Sequence, residues 1–217
     1  MNIVGISGSI RKGNCFLALE KLLESAREEG ARTRLIDLGS CRIETCQGSC
    51  HDTCHPFDEN GNLLSGGWHS CTRGDDGAGV LEEMVNADAV VMASPVLFGN
   101  LSATLKTLME RSNSVASFAM EENQSFMAGK WGAAVAVGGA RHAGQEIALQ
   151  SIMNYYLVVQ MHPVGLGEYQ APLGLSLLGD DAGSILNDQW TDYEIKKADS
   201  IEYLRAYGKK LARLEKK

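Results

Sequence analysis

Short apolar runs, each closed by Gly, Ser or Pro, alternate along this chain with longer segments in which apolar residues recur every three or four positions. Residues 2–6 (NIVGI) end at a Ser-Gly-Ser loop and read as a buried strand. Over Asn14–Glu29, Phe16, Leu19, Leu22, Leu23 and Ala26 fall on one helical face, and Gly30 supplies the stop. Residues 32–37 (RTRLID) predict a second strand, Val80–Val85 a helix, and Ala89–Ala93 a third strand broken by Ser94-Pro95. Leu101–Ser112 repeats the helical pattern. Trp131–Val137 predicts a fourth strand, Gln145–Val158 a helix and Val159–Val164 a fifth strand carrying Pro163. A closing amphipathic helix over Glu194–Leu214 has Lys and Arg near its end, where they complement the helix dipole.

Strands separated by helices, five times over, predict a doubly wound parallel sheet covered on both faces. A chain of 217 residues suits one such domain. Two stretches interrupt the alternation. Residues 39–77 are rich in Gly, Cys and His without periodicity, and connections of that length are usually functional or metal-stapled. Residues 165–192 form a Gly-, Leu- and Asp-rich excursion. Its Leu173, Leu175, Leu177, Leu178, Ile185 and Trp190 are expected to bury themselves against a second subunit or their own.

Charge narrows the partners. Twenty basic against 27 acidic residues leave a formal charge of -7, which disfavours nucleic acid and anionic membranes. No apolar run is long enough to span a bilayer, and the amino terminus reads as a strand, so a cytoplasmic protein is expected. In a reducing compartment, six cysteines favour metal or redox chemistry over structural disulfides.

The first strand runs into Ser7-Gly8-Ser9-Ile10-Arg11-Lys12-Gly13-Asn14-Cys15 and then a helix. Small residues, hydroxyls, one arginine and a helix amino end suit a terminal phosphate. The sequence is neither a dinucleotide GxGxxG loop nor a Walker A loop. GISGSIRKGN resembles the GSxRxxS-type loop of NAD(P)H-dependent FMN reductases. ASPVLFGNLSATLKTLMER (93–111) is similar to that family's SPxY…S…LK…DR segment, and GGARHAGQEIAL (138–149) to the G-x-R-x-G-G-Q-E segment of its iron–sulfur flavoprotein branch. The resemblance implies a flavodoxin-like fold and an FMN-dependent oxidoreductase using NAD(P)H or a ferredoxin-like donor. It implies FMN phosphate contacts at Ser7, Ser9, Arg11, Asn14 and Cys15. Ring contacts are implied at Pro95, Val96, Leu97, Phe98, Gly99 and Asn100, and at Gly138, Gly139 and Arg141. The chain departs from the pattern at Cys15, Leu97 and Ala143, where the family favours a hydroxyl, Tyr and Gly.

Cys46, Cys50 and Cys54 are spaced i, i+4, i+8, and Cys71 follows 17 residues later, just before Asp75-Asp76. Four thiolates hold a [4Fe–4S] cluster or zinc, and reductases of this type also keep cysteines here without metal. Cluster, zinc and no metal stand open, with Cys41, His51, His55 and His69 as further ligand types. The flavin would carry the chemistry, so no catalytic side chain is required. An electron carrier docking a ferredoxin-like protein, a reductase of a small-molecule acceptor, and a redox or metal sensor are three functions this set could serve. The resemblance further implies a homodimer or homotetramer.

Overall fold

A computed structural model describes residues 1–48, 71, 73–116, 125–140, 142–167, 171–179 and 197–215. Among these residues six strands form one sheet: β1 (Asn2–Ser7), β2 (Arg32–Asp37), β3 (Ala89–Pro95), β4 (Trp131–Gly138), β5 (His162–Pro163) and β6 (Leu175–Leu178). Every pairing is parallel, in the order β2-β1-β3-β4-β5, with β6 also on β4. Helices are α1 (Asn14–Glu28), α2 (Gly77–Asn86), α3 (Ala103–Arg111), the single turn α4 (Asn113–Ala116), α5 (Gln145–Val158) and α6 (Lys197–Ala212).

Burial explains the strand compositions. β1, β3 and β4 lie inside the sheet and are apolar almost throughout, whereas β2 is an edge whose Arg32 and Arg34 reach solvent. One core, with Leu19, Leu22, Leu23, Leu204 and Tyr207, lies under α1 and α6; the other, with Leu81, Met84, Leu105, Ile152 and Tyr156, lies under α2, α3 and α5. The small residues of β4 have a partner: a Cβ at Gly132 would stand 2.5 Å from the Tyr156 ring. Tyr156 is fully buried, with its hydroxyl 2.8 Å from the Ala133 carbonyl oxygen and 3.2 Å from that of Val90.

The expected strand over Val159–Val164 is a correction. Only His162–Pro163 pair, with Trp131 and Gly132, before the chain leaves the sheet. It returns as β6, which pairs with Val135–Gly138. Those β4 residues already pair with β3 along their other edge, so β5 and β6 share one strand position, interrupted by a loop. Leu166 N–H donates to the Ala171 carbonyl (3.0 Å) and closes that loop. Leu175 and Leu177 are thereby buried in the chain's own core rather than offered to a second subunit; Ile185 and Trp190 lie outside the described residues. No described helix is long and apolar enough to cross a membrane.

Candidate flavin site and the root of the cysteine segment

Three loops meet at the carboxyl ends of the adjacent strands β1, β3 and β4, where ligands bind in open α/β sheets. The first, residues 8–13, is fixed at its start. Gly8 N–H donates to the Ala93 carbonyl (2.8 Å), and its carbonyl accepts from Ser102 Oγ (2.6 Å). A Cβ at Gly8 would meet Leu105 Cβ at 2.7 Å, so only glycine fits. Ser102 is a hub. It caps α3 by accepting from Leu105 N–H (3.1 Å), and its own N–H donates to Ser94 Oγ (2.9 Å).

At the other end of the loop α1 begins on Gly13 without a side-chain cap, leaving its first N–H groups aimed into the loop. Ser7 Oγ and Asn14 Oδ1 are buried there with no hydrogen-bond partner among the described residues. Uncapped helix N–H groups beside buried polar atoms with no partner among the described residues have the chemistry to hold an anion. Ser9 is buried, with its Oγ accepting from Arg11 N–H (3.3 Å), and the Arg11 side chain is exposed at the rim. Cys15 faces the other way: its thiol belongs to the core with Ile3 and Leu19, and burial pushes its pKa far up. Only its backbone faces the loop.

The second loop is a tight hairpin. Val96 N–H donates to the Val137 carbonyl (2.8 Å), continuing the sheet from Pro95, and Leu97 and Asn100 then exchange backbone hydrogen bonds of 2.9 and 3.1 Å. Between them Phe98 (φ 49°) and Gly99 (φ 77°) both occupy the left-handed region, the signature of a type I′ turn. Phenylalanine is strained there, and its ring is fully exposed. Asn100 Oδ1 accepts from Leu101 N–H (2.8 Å) and Ser151 Oγ (3.1 Å), tying the hairpin to α5.

The third loop leaves β4 through buried Gly138 and exposed Gly139; Arg141 lies outside the described residues. Gln145, 2% exposed, braces this loop: its Nε2 donates to the Ala140 carbonyl (2.7 Å), and its Oε1 accepts from Ala143 N–H (3.0 Å). In the sequence Gln145 opens a helix and falls in the segment similar to G-x-R-x-G-G-Q-E, and neither shows the brace. Its neighbour Gly144, φ 112°, packs on the Gly99 backbone.

The root of the cysteine segment hangs on Arg111, the last residue of α3. Arg111 and Asp75 pair with both side chains 1% exposed. Nη1 donates to Asp75 Oδ2 (2.6 Å) and the Glu44 carbonyl (2.9 Å); Nη2 donates to Asp75 Oδ1 (3.0 Å) and Cys71 Sγ (3.1 Å). Asp75 also accepts from the N–H groups of Glu44 and Gly77, both at 2.9 Å. Burial pushes its carboxyl up, but the Arg111 and backbone hydrogen bonds outweigh that and hold it at about 2. The same pair, with Cys71 beside it, raises Arg111 despite burial. Arg73 pairs with Glu44 and donates to the Thr45 carbonyl (3.0 Å), while Arg42 and Asp76 exchange backbone and side-chain bonds. The segments bearing Cys46 and Cys71 are thereby laced side by side. Cys50 and Cys54 lie outside the described residues, and among the described ones no three His, Cys, Asp or Glu side chains gather as a metal site. In the sequence Arg111 ends the segment similar to SPxY…S…LK…DR and Asp75 follows Cys71, but their 36-residue separation carries no pattern that would pair them.

A cavity of about 1120 Å³ opens between the hairpin, α3, α5 and residues 46–48, lined by Leu97, Phe98, Leu101, Met109, Tyr155 and Val158 among others. No phosphate-loop residue lines it, whereas Leu97, Phe98 and Asn100 of the expected ring loop do.

A parallel 2-1-3-4-5 sheet with an open anion loop after its first strand defines a flavodoxin-like nucleotide-binding protein. Comparison sharpens that class. Residues 1–174 match the NADPH-dependent FMN reductase family. An iron-sulfur flavoprotein of Methanocaldococcus jannaschii is 34% identical over 217 residues, spanning 100% of this chain and 98% of that protein. A second iron-sulfur flavoprotein from the same organism is 34% identical over 183 residues, 84% of each chain. Among solved structures, the NAD(P)H:quinone oxidoreductase from Methanothermobacter marburgensis has a TM-score of 0.62 at 16% identity, covering 99% of this chain and 98% of that one. The chain belongs to the NADPH-dependent FMN reductase family and is an FMN-dependent oxidoreductase. Its uncapped α1 and the orphaned Ser7 and Asn14 atoms fit the FMN phosphate.

Proposed function

We propose that this oxidoreductase takes electrons from NAD(P)H or a ferredoxin-like donor into FMN. It passes them through a [4Fe–4S] cluster on Cys46, Cys50, Cys54 and Cys71 to a small-molecule or protein acceptor. When bound, FMN and the cluster supply the redox chemistry, FMN exchanging two electrons and the cluster one. The chain's part is to bind and separate them. Ser7, Ser9, Arg11, Asn14 and the amino end of α1 take the phosphate. The Val96, Leu97 and Asn100 N–H groups hold the hairpin, so that the backbone N–H groups of Phe98 and Gly99, with those of the loop after Gly138, take the polar edge of the ring. The observation that carries the cluster reading is the lacing at Arg111. It draws the Cys46 and Cys71 segments together at the far end of the helix whose capping residue holds the phosphate loop. Both Methanocaldococcus jannaschii relatives are named iron-sulfur flavoproteins, which supports this reading.

The test is a visible spectrum of anaerobically purified protein before and after dithionite, with iron and acid-labile sulfide assays. Flavin bands, a broad bleachable shoulder and about four irons per chain are expected. Flavin without iron removes the cluster and leaves a plain NAD(P)H-dependent reductase.

The exposed apolar outer face of α5, with Ile147, Leu157 and Val158 beside Leu97 and Phe98, supports assembly as a homodimer or homotetramer. Sedimentation equilibrium tests this, with a monomer at micromolar concentration as the opposing result.

A further inference from the structure

Arg111 has four hydrogens on its two terminal nitrogens, and all four have an acceptor: two on Asp75, one on the Glu44 carbonyl and one on Cys71 Sγ. Lysine cannot reproduce this pattern, because it presents one nitrogen where the fork presents two in a plane. The carboxylate compensates the guanidinium charge almost out of reach of water, both side chains being 1% exposed. A charged pair this dry acts on its neighbours with far less screening than a surface pair. One of the fork's acceptors is a cysteine sulfur, Cys71 Sγ at 3.1 Å.

We propose that Arg111 is a positioning residue for the Cys71 ligand, and that the Arg111–Asp75 pair sets the reduction potential of the centre bound there. This rests on the cluster reading above. Arg111 aims the thiolate by an N–H···S bond, and such bonds, with the local charge, are main determinants of iron–sulfur potentials. The two members of the pair act in opposite directions. The guanidinium favours the reduced, more negative state of the centre, and the Asp75 carboxylate opposes it.

That opposition supplies a test which damage to the fold would not mimic, since losing either partner breaks the same ion pair. The full-length wild-type protein, Arg111→Met, Asp75→Asn and Arg111→Lys are purified anaerobically with FMN and reconstituted with ferrous iron and sulfide. The potentials of the iron centre and of FMN are then measured in one dithionite titration. In Arg111→Met the iron couple is expected to move to more negative potential, and in Asp75→Asn to more positive potential. The FMN couple should move less than the iron couple in both. Arg111→Lys, which keeps the charge, is expected between wild type and Arg111→Met.

Shifts of the same sign in the Met and Asn variants, or no shift in either, overturn the proposal while leaving the cluster intact. If Arg111→Met takes up no iron, Asp75→Asn decides alone, and an unmoved or more negative iron couple overturns the proposal. A wild-type protein that binds no iron removes the cluster reading, and this inference with it.

Discussion

Gly144 rests on Gly99. A Cβ on Gly144 would lie 2.5 Å from the Gly99 carbonyl carbon, so the loops after β3 and β4 touch where neither carries a side chain. Both glycines have positive φ, and alanine at 144 would add backbone strain to the collision. Gly144→Ala is expected to push the two ring loops apart and weaken FMN binding by about tenfold or more, the equivalent of ~1.4 kcal/mol. Flavin fluorescence titration measures this, and unchanged affinity would show that the contact does not shape the ring site.

Ser7 separates the stability of the empty protein from its affinity for FMN. Its hydroxyl, buried without a partner among the described residues, is a cost in the absence of ligand and a donor in its presence. Ser7→Ala is expected to leave the apoprotein as stable or more stable, by up to about 1 kcal/mol, and to weaken FMN binding by about tenfold. Urea unfolding of the apoprotein and a binding isotherm check the two halves. Loss of apoprotein stability would mean that Ser7 is satisfied within the chain.

Ser102 serves two elements with one oxygen. It caps α3 through Leu105 N–H and holds the Gly8 carbonyl. Ser102→Ala is expected to cost about 2 kcal/mol, a cap of about 1 and a buried hydrogen bond of similar size. It should also lower FMN affinity, because the phosphate loop loses its anchor. A thermal-melt decrease with unaltered FMN affinity would confine Ser102 to capping.

Asp75 predicts an acid limit. Its folded-state pKa of about 2 lies below the unfolded value, so it stabilises the fold fully above about pH 4. That contribution fades as pH falls from 4 toward 2. Asp75→Asn leaves the buried Arg111 unpaired and is expected to cost roughly 3 kcal/mol at neutral pH. The gap between variant and wild type should close on acidification through that window, as followed by urea unfolding at several pH values. A gap independent of pH would show that the pair is not ionised in the fold.

Alternation of short apolar runs with helical patterns was enough to place β1 to β4 and α1, α2, α3, α5 and α6 within a few residues. The fifth strand, expected over Val159–Val164, is there but only His162–Pro163 pair, and β6 escaped the pattern altogether. Pro163 and the pinched loop at Leu166 and Ala171 divide one strand position between segments twelve residues apart, and an isolated two-residue strand has no period to read. The same division made Leu175 and Leu177 look like residues in search of a partner when they complete their own sheet. In the site, the phosphate loop was legible because Gly, Ser and Arg follow a strand directly. The Gln145 brace and the Arg111–Asp75 pair were not, since each depends on where a side chain ends in space.

The nine-residue α3 has both ends tied, the first turn to Gly8 through Ser102 and the last residue to Cys71 through Arg111. At 1.5 Å per residue it is a strut of about 13 Å with a fixed rotational phase. Adding or deleting one residue would swing Arg111 by about 100° and point the fork away from Asp75 and Cys71. The span from phosphate loop to cysteine segment is therefore counted in whole helical residues. Residues added or removed between Cys46 and Cys71 leave that span as it is, whereas one residue more or less in α3 breaks it.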